Sequence, residues 1–429
     1  MPLDLRSTTM LHGLRLIDIG NHKDTTLRLG PVTAILGPNG SGKTTVLNAI
    51  EWIGKARGYG QPPFSSEWNE PGRIVRAETE AGESIVLGVF HENYSKKPLA
   101  FCVRCELWQQ FDLADNATHA SFIPKWLLHK GDDASSWMAR DGCSERNWGD
   151  EAECSAELKW EGERFSDLRT ELIDGDHRIP PSRRTDIPSL IGTVRRLNLS
   201  PAQLKKPSYS TEVAPQLSND GEHLASVLSD LMTTDRARFV SIVEALQTVV
   251  PSIRDIRAMR CPISIREPRS VTVNKRDVPY FEDREVIGQQ LRFDMASGND
   301  LPADRISDGT MLVLAIITLL KTMPGAMILL DDIEQGLHPS AQRHVVQLIK
   351  AIQKNHPSMQ VVFTTHSPYV VDEMEPEHVW VLGLDKEGCA HARALSEHPK
   401  AKKALEVLTT GEFWSAEGED WVVPGDQQA

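Results

Sequence analysis

No stretch of the 429-residue sequence approaches the roughly 20 consecutive apolar residues that a membrane-spanning helix needs. The start, Met1-Pro2-Leu3-Asp4-Leu5-Arg6, has neither the basic opening nor the apolar run of a secretory signal, which sets the expectation of a cytoplasmic protein with no membrane partner. Cysteines number only 6, too few over this length for a disulfide framework. Positive charge is not in excess either. A net charge of −13 excludes indiscriminate coating of nucleic acid, because neutralising phosphates takes clustered Lys and Arg. Internal repeats, low-complexity tracts and a sustained heptad run are also missing, and the last argues against a chromosome-bridging coiled coil. What remains, 40% hydrophobic and 25% charged residues, is the balance of a globular chain with one large domain or two ordinary ones.

The pattern along the chain is β at the start and α/β at the end. His12 to Ile19 alternates, Thr25 to Leu29 does so briefly, and Val32 to Leu36 is a short apolar strand. A glycine-rich loop and a helix over Thr44 to Trp52 follow, then strand-like runs from about Val75 to Trp108. Residues 109–215 carry no sustained period and read as an insertion of short strands and long loops. Residues 221–249 have helical spacing through Leu224, Val227, Leu228 and Leu231, then Val240, Ile242, Val243 and Leu246, which predicts a helical arm. In the final third, Thr310 to Leu320 is a nearly all-apolar helix. Ala326 to Leu330, Gln360 to Thr364 and Val379 to Leu384 are buried strands, and Ser340 to Gln353 is a helix.

Cys102 and Cys105 form a C-x-x-C, with Cys143 and Cys154 further on, so zinc has to be weighed. The spacing fits no common zinc module, and an i, i+3 pair on a strand points to opposite faces. Buried or incidental thiols are the plainer reading.

Four short motifs carry chemistry. Gly37-Pro38-Asn39-Gly40-Ser41-Gly42-Lys43-Thr44, running on to Thr45, satisfies the phosphate-loop pattern between an apolar strand and a helix. Its glycines let backbone N–H groups face a phosphate, and the helix adds its positive N-terminal end. Lys43 reaches the β- and γ-phosphates of a nucleotide, and the Thr44 hydroxyl suits Mg²⁺. Met327-Ile328-Leu329-Leu330-Asp331-Asp332 is a buried strand ending in acid, with Asp331 placed for the metal and Asp332 for a general base that orients water. Ile306-Ser307-Asp308-Gly309-Thr310 opens the apolar helix with a hydroxyl and free N–H groups that suit a phosphate oxygen. By itself it is also an ordinary helix cap. His366, after the strand Gln360 to Thr364, is placed to sense a γ-phosphate.

In this order the motifs resemble those of the ATP-binding cassette (ABC) ATPases. Gly37-Pro38-Asn39-Gly40, the run Asp331 to Pro339 and Thr365-His366-Ser367-Pro368 are similar to the RecF, SMC and OLD branch and to the small stand-alone ATPases of bacterial anti-phage defence. The resemblance implies an α/β P-loop fold, an ABC-type head of two lobes with an insertion. The expected division is 1–110 for the N-terminal lobe, 111–285 for the insertion and helical arm, 286–395 for the C-terminal lobe and 396–429 for a tail. It implies ATP and Mg²⁺ as cofactors, ATP hydrolysis, and a head-to-tail homodimer in which Ser307 and Gly309 contact the γ-phosphate held by the other subunit. The branch usually carries Glu where this chain has Asp332, which implies slow turnover or a share of the task for Glu334. The metal-binding glutamine of the first lobe is one of Gln61, Gln109 and Gln110.

The same resemblance implies an anti-phage role with a separate effector such as a nuclease, since the stretch after His366 is too short to hold one. The alternatives are a RecF-type DNA-repair ATPase and a slow-turnover, nucleotide-gated scaffold. Arg254, Arg257, Arg260, Arg266, Arg269, Lys275 and Arg276 suit DNA or an acidic partner, or simply a solvated face. The smaller set Arg183, Arg184, Arg195, Arg196, Lys205 and Lys206 reads the same way. Trp414 and Trp421 suit either a partner interface or packing of the tail on its own domain.

Overall fold

The computed structural model describes residues 10–55, 74–79, 84–91, 98–111, 118–129, 137–141, 193–273 and 276–423. β1 (Leu11–Ile19) turns through Gly20 and Asn21 into β2 (His22–Arg28), and β3 (Val32–Leu36) runs through the phosphate loop into α1 (Lys43–Lys55). β4 (Ile74–Thr79), β5 (Ser84–His91), β6 (Pro98–Phe111), β7 (Thr118–His129) and β8 (Trp137–Asp141) follow. From residue 193 the chain forms β9 (Val194–Leu197), α2 (Pro201–Leu204), α3 (Leu224–Thr234), α4 (Arg236–Val249), β10 (Ile253–Val273), β11 (Arg276–Met295) and β12 (Gly298–Pro302). The last third is α5 (Asp308–Thr322), β13 (Met327–Leu330), α6 (Pro339–Asn355), β14 (Gln360–Thr364), α7 (Pro368–Val371), β15 (Val379–Leu384), β16 (Ala390–Ala394) and α8 (Thr410–Glu417).

Among the described residues these strands make three sheets. One is seven-stranded and antiparallel, in the order β2-β1-β4-β5-β6-β7-β8. The second is six-stranded, in the order β16-β15-β3-β14-β13-β9, parallel except for β16 at its edge. The third is the long β10–β11 hairpin with β12.

The central parallel strands β3, β13, β14 and β15 are almost wholly apolar because both of their faces are covered. Residues of alternate parity enter different cores: Ile35, Leu329, Val362 and Trp380 join β1, β4 and α1, whereas Ala34, Ile328, Phe363 and Val381 face α3, α4, α5 and α6. α1 therefore lies between the two large sheets, and the phosphate loop at its start is held from both sides. α5 is apolar on nearly every face because α4 and α6 pack around it.

Three expectations change. Residues 110 and 285 fall inside β6 and β11, so the boundaries drawn there cut through strands. Segments that lacked a period in the sequence pair across them by backbone hydrogen bonds. The helical arm does not project: Leu224, Leu228, Phe239, Ile242 and Leu246 are buried in the same core as α5. The extended element is instead β10–β11. Phe293 is buried at its base, while Phe281 and Ile287 further out are 63% and 61% exposed. Cys102 and Cys105 lie on β6, and Cys143 and Cys154 fall outside the described residues.

Candidate nucleotide site

The phosphate loop leaves the C-terminal end of β3 and is shaped by three glycines with positive φ: Gly37 (146°), Gly40 (81°) and Gly42 (93°). At Gly37 and Gly42 side chains are excluded as well as strained. A Cβ on Gly37 would lie 2.6 Å from the Leu382 carbonyl, and one on Gly42 would lie 2.3 Å from His22 Nε2. Pro38 closes the turn, its carbonyl accepting the Ser41 N–H at 3.2 Å, and Ser41 is fully buried beneath it.

The β1–β2 turn braces the loop from outside. Asn21 Nδ2 donates to the Gly40 carbonyl at 2.9 Å. His22, fully buried, places Nε2 3.1 Å from the Gly42 carbonyl and Nδ1 3.0 Å from the Thr25 hydroxyl. Because a carbonyl only accepts, Nε2 carries a proton in this contact. Burial pushes the His22 pKa below the usual histidine value, against the opposing pull of the Gly42 carbonyl. No sequence pattern marked Asn21 or His22. They are an ordinary turn pair until the fold sets them over the loop.

Lys43 Nζ donates to the Gly37 and Pro38 carbonyls at 2.9 and 3.0 Å. Desolvation lowers its pKa, while Asp332, Asp331 and Glu334 act in the opposite direction. The Thr44 hydroxyl donates to Asp331 Oδ2 at 3.2 Å. Thr364, the last residue of β14, donates to Asp331 Oδ1 at 2.6 Å and accepts the Asp332 N–H at 2.8 Å. Asp332 has φ of 47°, a left-handed conformation that short polar side chains tolerate best, and it turns away from the strand into the cleft.

The cleft, of about 240 Å³, is lined by Asn21, Asn39, Gly40, Gly42, Lys43, Thr44, Thr45, Asp332 and His366. Four separated segments thus meet at one opening. Glu334 is not part of its lining. Its carboxylate accepts from the Thr365 hydroxyl at 2.6 Å and from the His366 N–H at 2.7 Å, holding the histidine loop from behind.

Ser307 and Gly309 do not line the cleft either. Ser307 caps α5, accepting the Thr310 N–H at 3.2 Å, and is itself exposed. Gly309 is packed so that a Cβ would lie 2.6 Å from the Gly336 carbonyl, which joins the start of α5 to the turn after Asp332. Gln109 and Gln110 lie on β6 in the antiparallel sheet, and Gln61 is outside the described residues. Of the smaller basic set, Arg195 donates to the Leu217 carbonyl, Arg196 pairs with Asp331, and Lys205 lies 2.5 Å from Asp308. Three of these charges are therefore spent inside the fold, while Arg183 and Arg184 are outside the described residues. Trp414 is buried at 8% exposure, and Trp421 packs on His398 with ring centroids 4.7 Å apart, so the tail closes on its own domain.

A parallel sheet whose adjacent strands end in a phosphate loop, paired acids and a histidine loop, with a capped apolar helix between, defines a P-loop ATPase of the ABC, SMC and OLD type. More narrowly, the chain belongs to the family described as AAA domain, putative AbiEii toxin, Type IV TA system, whose model matches residues 32–372. It is similar to the OLD nuclease of Thermus scotoductus, 22% identical over 393 residues that make up 88% of this chain and 63% of that protein. It also resembles the Retron Ec83 probable ATPase of Escherichia coli, 22% identical over 190 residues (40% of this chain, 30% of that protein). The Septu protein PtuA of Bacillus thuringiensis is 35% identical over 69 residues, 16% of this chain and 17% of that protein. In each case the match spans less than two thirds of the relative's length. A solved SmcHead bound to the C-winged helix domain of ScpA aligns over 92% of this chain and 99% of its own, with a TM-score of 0.45 and 13% identity. No helix among the described residues is long and apolar enough to cross a membrane.

Proposed function

We propose that the chain binds ATP with Mg²⁺ in this cleft, closes head to tail on a second copy of itself, and hydrolyses the nucleotide as the ATPase of an anti-phage defence system that acts through a separate effector protein. The observation that carries the nucleotide part is the convergence of Lys43, Thr44, Asp332 and His366 on one opening beside Asp331. The Thr44 hydroxyl and the Asp331 carboxylate are a pair of hard oxygen donors 3.2 Å apart, a set that fits Mg²⁺. When bound there, Mg²⁺ neutralises charge on the phosphates.

The chain's own groups supply the rest. The loop N–H groups and Lys43 cradle the phosphates. Asp332 accepts a proton from the water that attacks the γ-phosphorus, as the bond to the β–γ bridging oxygen breaks. His366 hydrogen-bonds a γ-phosphate oxygen. Head-to-tail closure is supported by the exposed Ser307 hydroxyl, which caps α5 outside the cleft of its own chain, where a phosphate held by another copy can reach it. The defence role rests on the likeness to the retron and Septu proteins.

The test is ATP turnover by the purified chain beside Lys43→Ala and Asp332→Asn, with and without DNA, with oligomer mass read in parallel. Turnover lost in both variants, with an ATP-dependent dimer in Asp332→Asn, is the expected result. ATP binding without turnover under any condition replaces the enzyme with a nucleotide-gated scaffold. Salt-sensitive stimulation by DNA transfers the role to repair.

A further inference from the structure

Arg196 reaches Asp331 from outside all four motifs. It sits on β9, the strand beside β13, in the register position opposite Leu329, two residues before Asp331. Its Nη2 donates to Asp331 Oδ2 at 3.0 Å. Its Nη1 meets the Asn48 side chain and lies 3.7 Å from Glu51 Oε2, both on α1. The side chain is only 19% exposed.

Asp331 is thereby held at both oxygens, by Thr364 at Oδ1 and by Arg196 at Oδ2, while the Thr44 hydroxyl approaches Oδ2 as well. Two fixed donors define the plane of the carboxylate, whereas a single one would leave it free to rotate. The planar guanidinium fork also spans from β13 to α1, the helix that carries Thr44, which a single ammonium cannot do with fixed geometry. Arg196 Nε is buried with no partner among the described residues.

We propose that Arg196 is the positioning residue of the metal carboxylate: it sets the Asp331–Thr44 oxygen pair at the spacing a divalent cation needs, without touching nucleotide itself. This rests on the nucleotide-site reading above. The same stretch of chain carries Lys205, paired with Asp308 at the start of α5. One short segment therefore supports both this chain's own metal carboxylate and the helix start that faces a second copy.

The test titrates a fluorescent ATP analogue against the full chain across Mg²⁺ concentrations and in EDTA. It uses wild type, Arg196→Met, Arg196→Lys, Asp331→Asn and the Asp331→Asn/Arg196→Met double variant, with melting temperature read for each. Affinity in EDTA stays within about twofold for Arg196→Met, while the Mg²⁺ needed for half-maximal tightening rises about 10- to 100-fold, the usual consequence of losing a residue that orients a metal ligand. Arg196→Lys falls between, and carries the test should the Met variant fail to fold. In the Asp331→Asn background the Met substitution adds nothing. An unchanged Mg²⁺ requirement in a folded variant overturns the proposal, as does an equal loss of affinity in EDTA and in Mg²⁺, which marks a purely structural clamp. A wild type with no Mg²⁺-dependent binding at all overturns the nucleotide site itself, a separate outcome.

Discussion

Glu334 accepts the backbone N–H of His366 at 2.7 Å. The contact joins the turn after β13 to the loop after β14, so the segment carrying Asp332 and the segment carrying the histidine move together. Two acids two residues apart thus do different jobs, one lining the cleft and the other bracing it.

Replacing each acid by its amide separates those jobs. At the bracing position an amide offers one acceptor oxygen where the carboxylate of Glu334 offers two. It can accept from Thr365 or from His366, but not from both with equal geometry. Glu334→Gln is expected to lose about 1–3 kcal/mol of stability in urea unfolding, the range for hydrogen bonds to a charged group. Asp332→Asn, at an exposed position, is expected to stay within about 0.5 kcal/mol of wild type. In the same preparations Asp332→Asn is expected to abolish ATP turnover. A Glu334→Gln protein as stable as wild type would contradict the bracing role.

Gly309→Ala probes the contact between the start of α5 and the turn at Gly336. Alanine is the better helix former by about 1 kcal/mol, yet its Cβ would lie 2.6 Å from a backbone carbonyl and 3.2 Å from Leu337 Cδ2. The carbonyl cannot swing aside as a side chain can. A net destabilisation of about 1–3 kcal/mol is expected, and a stabilised variant in thermal unfolding would show that the turn yields.

The hairpin offers a paired comparison on one strand face. Phe293→Ala empties a fully buried position at the base and is expected to cost about 3–5 kcal/mol. Phe281→Ala, at 63% exposure, forfeits little more than the stacking of the Arg266 guanidinium 4.9 Å from the ring, about 0.5–1 kcal/mol. Chemical denaturation of both variants reads the ratio directly.

The buried His22 gives stability a pH dependence whose sign follows from the direction of its shift. Its folded pKa lies below the ordinary value of 6.5, so on acidification the unfolded chain takes up the proton first. The contribution is intact above that ordinary value and is lost as pH falls from it through the folded pKa. His398, also buried and shifted down by desolvation, acts in the same sense. His22→Gln should flatten part of the slope in urea midpoints measured from pH 5 to 8, whereas an unchanged slope would assign it to other groups.

Legibility in the sequence divided along physical lines. β14 and β15 have the bounds their apolar runs predicted, because strands buried on both faces leave an unbroken hydrophobic signal. α5 extends only two residues beyond its predicted run at each end. The β10–β11 hairpin gave no such signal: residues 281–285 are exposed on both faces of their strand, and charges and Pro262 interrupt any alternation. Arg196 was hidden for the opposite reason. A pair of arginines in the middle of a four-residue strand resembles a solvated basic patch, and only the pairing of β9 with β13 turns one of them onto Asp331.

By itself the sequence located the phosphate loop, the acidic end of β13 and the histidine loop. Those features depend on local backbone shape and on a residue type at the end of a buried strand, both written in contiguous residues. The tertiary structure decided which groups from elsewhere complete the cleft: Asn21 and His22 over the loop, Thr364 and Arg196 on Asp331, Glu334 behind His366. It also decided that Ser307 lies outside the cleft of its own chain. Such choices follow from the order in which strands lie side by side, and strand order is set by packing between segments far apart in the chain.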